Sequence, residues 1–134
     1  MTSGNSNVAI GIEAGTYVYD GLTSNTNGNK SILIGRQSKV NADYKYNQIV
    51  IGYDAIGNGT NTVTLGNTSI IDTHLRAAVH REALSSDPDD PLSNYNVIWQ
   101  SDGTGSGADG DIMMKIRNNN GTIKIVTLVD FSAI

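Results

Sequence analysis

Four short runs along the chain share one pattern of polar and apolar positions: NVAIG ending at Gly11, SILIG ending at Gly35, QIVIG ending at Gly52 and TVTLG ending at Gly66. Each places a polar residue first, apolar residues second and fourth, a variable residue third and glycine last. Alternation at a period of two predicts short strands, and its recurrence predicts a stack of equivalent rungs. The glycines lie 24, 17 and 14 residues apart, which reads as a unit of about fourteen with loops inserted in the first two intervals. Val8 and Ile10, Ile32 and Ile34, Ile49 and Ile51, and Val63 and Leu65 share one face, which we assign to the interior of a coil. Ala9, Leu33, Val50 and Thr64 make the other face, so that side is mostly apolar too and needs a cover. The closing glycine suits a corner where φ is positive or a second backbone passes close by.

After Gly66 the repeat breaks, and Ile70 to Val79 is predicted to continue as a strand that ends near Ala83 and Leu84. Residues 85–94, SSDPDDPLSN, hold both prolines and read as a linker. Beyond it, Tyr95–Gln100, Asp111–Arg117 and Thr122–Val129 read as three strands. NNNG joins the last two as a hairpin turn, because Asn and Gly tolerate positive φ, and the glycine-rich SDGTGSGADGD joins the first two. Trp99 and Phe131 are assigned to the core of this C-terminal unit. The expected organisation is a repeat region with its connector at 1–84, a linker at 85–94 and an antiparallel β knob at 95–134.

Composition agrees with the pattern. Glycine, asparagine and isoleucine occur fifteen times each, and strong helix formers are few, which favours strands and turns and gives an all-β fold class. With 134 residues and 14.2 kDa the chain is one ordinary domain or two small ones. A net charge of −4 with scattered basic residues argues against a nucleic-acid partner. No apolar run approaches the roughly 18 residues of a spanning helix, so membrane insertion is not expected. The start, MTSGNSN, has no secretory signal. Without cysteine there are no disulfides, thiolate metal sites or cysteine nucleophiles.

The runs NVAIGIEAG, SILIGRQS and QIVIGYDA resemble the head repeats of trimeric autotransporter adhesins. IVIGYDAIGNGTNTVTLGNTSI, VIWQSDGTGSGADGDIMMKI and IVTLVDFSAI resemble segments of bacteriophage tail-fibre proteins, and together the likenesses cover most of residues 7–134. The chain departs from the adhesin pattern in its irregular spacing, in Thr64, and in having neither coiled-coil stalk nor membrane anchor, which favours a phage fibre. The resemblance implies a left-handed parallel β-roll, three copies about one axis, and a virion location in a tail fibre that contacts the host. In that arrangement Ala9, Leu33 and Val50 become the trimer interface, which supplies the missing cover. The implied partner is a bacterial surface glycan or outer-membrane component. Alternatives are the head of a bacterial trimeric surface adhesin, located on the cell surface, and a fibre or capsid decoration that binds no receptor.

Candidate chemistry is sparse. Tyr17, Tyr19, Tyr44, Tyr46 and Tyr53 fall in or beside the inserted loops, where they either contact a sugar or protein surface or pack the loops onto the coil. They are the candidate receptor-binding residues. No metal site and no cofactor is assigned. Asp102, Asp109 and Asp111 in the glycine-rich loop come nearest to a cation site, although Asp-Gly is ordinary turn chemistry. His74 and His80, six residues apart on the predicted strand, would share a face that three-fold copies could bring to an axis. GSGADG, residues 105–110, matches a dinucleotide fingerprint by letter, but a strand follows it where a phosphate site needs a helix. No nucleophile elbow accompanies either histidine, and the chain is not expected to be an enzyme.

Overall fold

A computed structural model describes residues 4–93 and 95–133; Met1, Thr2, Ser3, Asn94 and Ile134 lie outside the described residues. The chain divides into two compact units, Met1–His74 and Leu75–Ile134. Among the described residues there is no α-helix, and none is long and apolar enough to cross a membrane.

The first unit is a parallel sheet of four short strands, β1 (Val8–Ile10), β2 (Ile32–Ile34), β3 (Gln48–Ile51) and β4 (Thr62–Leu65), in chain order. Their register stacks the repeat phrases position on position: Ala9 pairs with Leu33, Leu33 with Val50, and Val50 with Thr64. Parallel neighbours need a long crossover between them, and the intervals between the glycines supply it. Hydrogen bonding continues past the strands into the corners. Gly35 N donates to Ile10 O at 2.8 Å, Gly52 N to Ile34 O at 2.8 Å and Gly66 N to Ile51 O at 2.7 Å. Gly35 shows why the corner excludes other residues: its φ is 125°, and a Cβ there would run into the Gly52 carbonyl of the next rung. Two residues further on, Glu13, Gln37 and Asp54 take left-handed conformations at φ of 59°, 59° and 51°. The return legs also pair, Val18 with Val40 and Lys39 with Ile56, both parallel.

The faces are the reverse of those expected. Leu33 and Val50 are completely buried inside their own chain, where they form a small core with Val18, Val40 and Ala55. They are therefore not the trimer interface assigned from the sequence. Ala9, third member of that set, is exposed on the terminal rung. Val8, Ile10, Ile32, Ile51, Val63 and Leu65 point outward, with 36 to 63 % of their surface exposed. Gln48 and Ser31 share the inward parity of Val50 and Leu33 and are buried with them. Each strand turns its middle residue inward and its flanking pair outward, and Val18, Val40 and Ala55 from the return legs complete the interior.

Ile70 to Val79 is not a strand, and Thr68 to Glu82 are all exposed. Asn67 ends the stack: its Oδ1 accepts from Ser69 N at 2.9 Å and its carbonyl from Ile70 N at 3.1 Å. This turn carries the backbone off the ladder, and the following residues find no partner to pair with.

The second unit is an antiparallel sheet of β5 (Asn96–Asp102), β6 (Asp109–Arg117) and β7 (Ile123–Val129), close to the predicted strands. The NNNG turn closes as expected: Asn118 N donates to Thr122 O and Gly121 N to Asn118 O, both at 3.1 Å. One face buries Trp99, Ser101, Asp111, Met113 and Lys115. The segment read as a linker is part of this fold. Leu84 pairs with Ser101, the Asp87 carboxylate accepts from Ser106 N and Oγ at 2.7 and 2.6 Å, and Lys115 Nζ donates to Pro88 O at 2.7 Å and Asp90 Oδ1 at 3.2 Å. Trp99 is core as predicted, but Phe131 is 63 % exposed, on a single 3-10 turn (Phe131–Ala133). The other face carries the exposed Ile98, Ile116 and Val126.

Candidate functional site

The inserted segments are where the chain departs from the repeat. The first is folded on itself. Tyr17 pairs antiparallel with Ser24, Val18 N donates to Thr23 O and Asn25 N to Thr16 O, both at 2.9 Å. Asp20 closes the tip by accepting from Leu22 N at 2.9 Å, Thr23 N at 2.8 Å and Thr23 Oγ1 at 2.6 Å. The Thr23 hydroxyl, with those amides, holds the Asp20 carboxyl below the usual carboxylate range.

Asp43, on the second insert, ties the first one down. Its Oδ1 accepts from Thr26 N at 3.0 Å and Asn27 N at 2.8 Å, and its Oδ2 from Thr26 Oγ1 at 2.5 Å and Asn27 Nδ2 at 3.3 Å. Burial pulls this carboxyl upward, but the donors of Thr26, Asn27 and the Tyr44 backbone outweigh it and leave it at about 2. The inserts are thus pinned to each other across adjacent rungs.

Of the five candidate tyrosines, Tyr17 is half-buried, while Tyr19, Tyr44, Tyr46 and Tyr53 are exposed. Tyr44 sits in a left-handed conformation at φ 62°, and the Tyr53 carbonyl accepts from Asn67 Nδ2 at 2.7 Å. Tyr46 lines a shallow depression of about 370 Å³ shared with Asn5, Asn29 and Lys30. The last three were missed because each looks like ordinary loop. The signal that finds them is their place relative to the glycines. Asn5, Asn29 and Tyr46 each stand six residues before a repeat glycine, and Asn29 pairs in parallel with Tyr46.

The remaining candidates do not converge. Asp102 Oδ1 accepts from Thr104 N at 3.0 Å and Thr104 Oγ1 at 2.6 Å, and the Thr104 hydroxyl and amide hold its carboxyl below the usual range. Asp111 is buried, with Oδ1 accepting from Phe131 N at 2.8 Å and Oδ2 from Ala108 N at 2.9 Å. Asp109 is exposed and pairs across the sheet with Asp102. His74 and His80 lie on the unpaired segment, so no strand gives them a common face. Among the described residues no three histidines or carboxylates gather in a metal-binding group. No family model, no curated protein and no solved structure matches the chain.

Proposed function

We propose that the chain is a subunit of a homotrimeric fibre built on a parallel β-roll, structural and adhesive rather than catalytic, and that it forms the distal part of a phage tail fibre contacting the host surface. The observation that carries this reading is the outer face of the parallel sheet, an aliphatic surface running across all four strands from Val8 and Ile10 to Val63 and Leu65. Soluble monomers rarely leave so continuous an apolar patch in water. Covering it contributes roughly 25 cal/mol per Å², and closed symmetry covers it in every copy at once. The cover demanded by two apolar faces is thus still needed, with the outward face now the one that requires it. Three as the number of copies, and the tail fibre as their setting, follow from the resemblance of the rung phrases. Inserted loops held by Asp43 face a bacterial surface glycan or outer-membrane component, and three-fold repetition turns a weak contact into avidity. Light scattering on the purified chain tests the reading: a particle of three times the 14.2 kDa subunit mass is expected, and a monodisperse monomer would overturn it.

A further inference from the structure

We propose that the depression lined by Asn5, Asn29, Lys30 and Tyr46 binds an acidic saccharide. The inference rests on the adhesive reading above and adds to it a site and a ligand class. Stacked rungs present the same position of each repeat as a column, stepped by about 4.8 Å, and Asn5, Asn29 and Tyr46 are successive members of one such column. That step is comparable with the width of a pyranose ring, so neighbouring rungs address hydroxyls of one sugar or of two joined ones.

The Asn29 side chain and the backbones of Asn5, Lys30 and Tyr46 are held in place before any ligand arrives. Asn29 Oδ1 accepts from Asn5 N at 2.7 Å, its Nδ2 donates to Asn27 O at 3.1 Å, and its carbonyl accepts from Asn47 N at 3.1 Å. The Tyr46 backbone is fixed by Asn61 N, which donates to its carbonyl at 3.3 Å, while about half of the residue's surface stays open to water. An open phenol offers an apolar ring face to the C–H side of a sugar and a hydroxyl at its end. Fixing such groups in advance lowers the entropic cost of binding.

Lys30 decides the charge. Its backbone is locked at φ 53° with its amide donating to Asn5 O at 2.9 Å, and its side chain is exposed. The two ion pairs among the described residues, Lys39–Asp54 and Lys115–Asp90, do not involve it. In a chain of net charge −4, an ammonium without a carboxylate partner beside a tyrosine and two carboxamides selects an anion over a neutral sugar.

The test titrates the purified 134-residue chain calorimetrically with oligogalacturonate, oligosialate and neutral dextran oligomers. Binding to at least one acidic oligomer is expected, weakened about tenfold by Tyr46→Ala and several-fold by Lys30→Gln. Tyr46→Phe should lose less than Tyr46→Ala, and Tyr95→Ala, an exposed tyrosine of the second unit, should match wild type. Lys30→Gln should leave any dextran binding unchanged. Failure of both acidic oligomers to bind at about 10 mM overturns the site, as does full affinity in both Tyr46→Ala and Tyr46→Phe. Equal affinity for dextran overturns the acidic class. Adsorption of the protein to cells without oligosaccharide binding removes this site and leaves the adhesive reading standing; saccharide binding by a protein that neither trimerises nor adsorbs does the reverse.

Discussion

At the scale of single residues, backbone conformation carries as much of the design as hydrophobicity. Five residues before each repeat glycine, Ser6, Lys30, Asn47 and Asn61 all adopt positive φ, between 52° and 62°. Each rung therefore bends at both ends of its strand, and the bends recur at fixed offsets from the glycine. Most of these positions hold polar or small side chains, which tolerate the left-handed region best. Asp43 shows a different residue-scale device, one carboxylate satisfying the donors of a neighbouring insert. Its folded value of about 2 lies below the ordinary carboxylate value of 3.8, so its contribution is present above pH 4 and is lost as pH falls through the folded value. Hydrogen exchange at Thr26 and Asn27 should therefore accelerate, relative to unstructured reference amides, as pH drops from 4 to 2. Asp43→Asn should show the faster exchange already at neutral pH. Unchanged protection in both cases would dissociate Asp43 from loop order.

At the scale of elements, the ladder defines which segments are held and which are free. Rungs are held by backbone pairing along strands, corners and return legs. Residues 85–91 are held by side chains of the second sheet, chiefly the buried Lys115 on Pro88 O. Between them, the stretch from Thr68 to Glu82 is exposed throughout. Exposed backbone lacking ladder bonds is where proteases cut first. Limited trypsin digestion should cleave after Arg76 before any lysine or arginine inside β2 to β7 or their turns, giving two fragments of defined mass. First cleavage after Lys30, Lys45 or Lys124 would show that the inserts or the hairpin open more readily. The strands themselves were legible because their alternation and turn residues are local. The pinned segment at 85–91 was not, since prolines and aspartates mark a linker equally well whether or not a lysine 25 or 27 residues away reaches back to them.

At the scale of the whole molecule, each unit taken by itself has an exposed aliphatic sheet face. The first has it from Val8 to Leu65 and the second at Ile98, Ile116 and Val126. A pair of substitutions separates the folding role of the interior from the assembly role proposed for the exterior. Leu33→Asp places a charge in the enclosed core and should unfold the first unit, seen as loss of cooperative thermal unfolding at neutral pH. Ile51→Asp changes an outward residue of the neighbouring rung and should leave the strands intact while lowering the mass measured by light scattering to that of a monomer. If Ile51→Asp were still an intact trimer, the outer face would not be the contact between copies.

The amino-acid sequence by itself determined the rungs, their register, the corner glycines, the hairpin and the all-β class. Those features repeat local rules: alternation at period two, glycine where φ must be positive, and Asn-Gly where a turn must reverse. Only the tertiary structure decided which side of each rung is inside. Both parities of the strand are apolar, so hydrophobicity could not rank them; Val18, Val40 and Ala55 on the return legs share the core with Leu33 and Val50, and the flanking isoleucines stay outside it. It also decided that Tyr46 shares a depression with Asn5, Asn29 and Lys30, because residues many positions apart become neighbours only when the rungs stack.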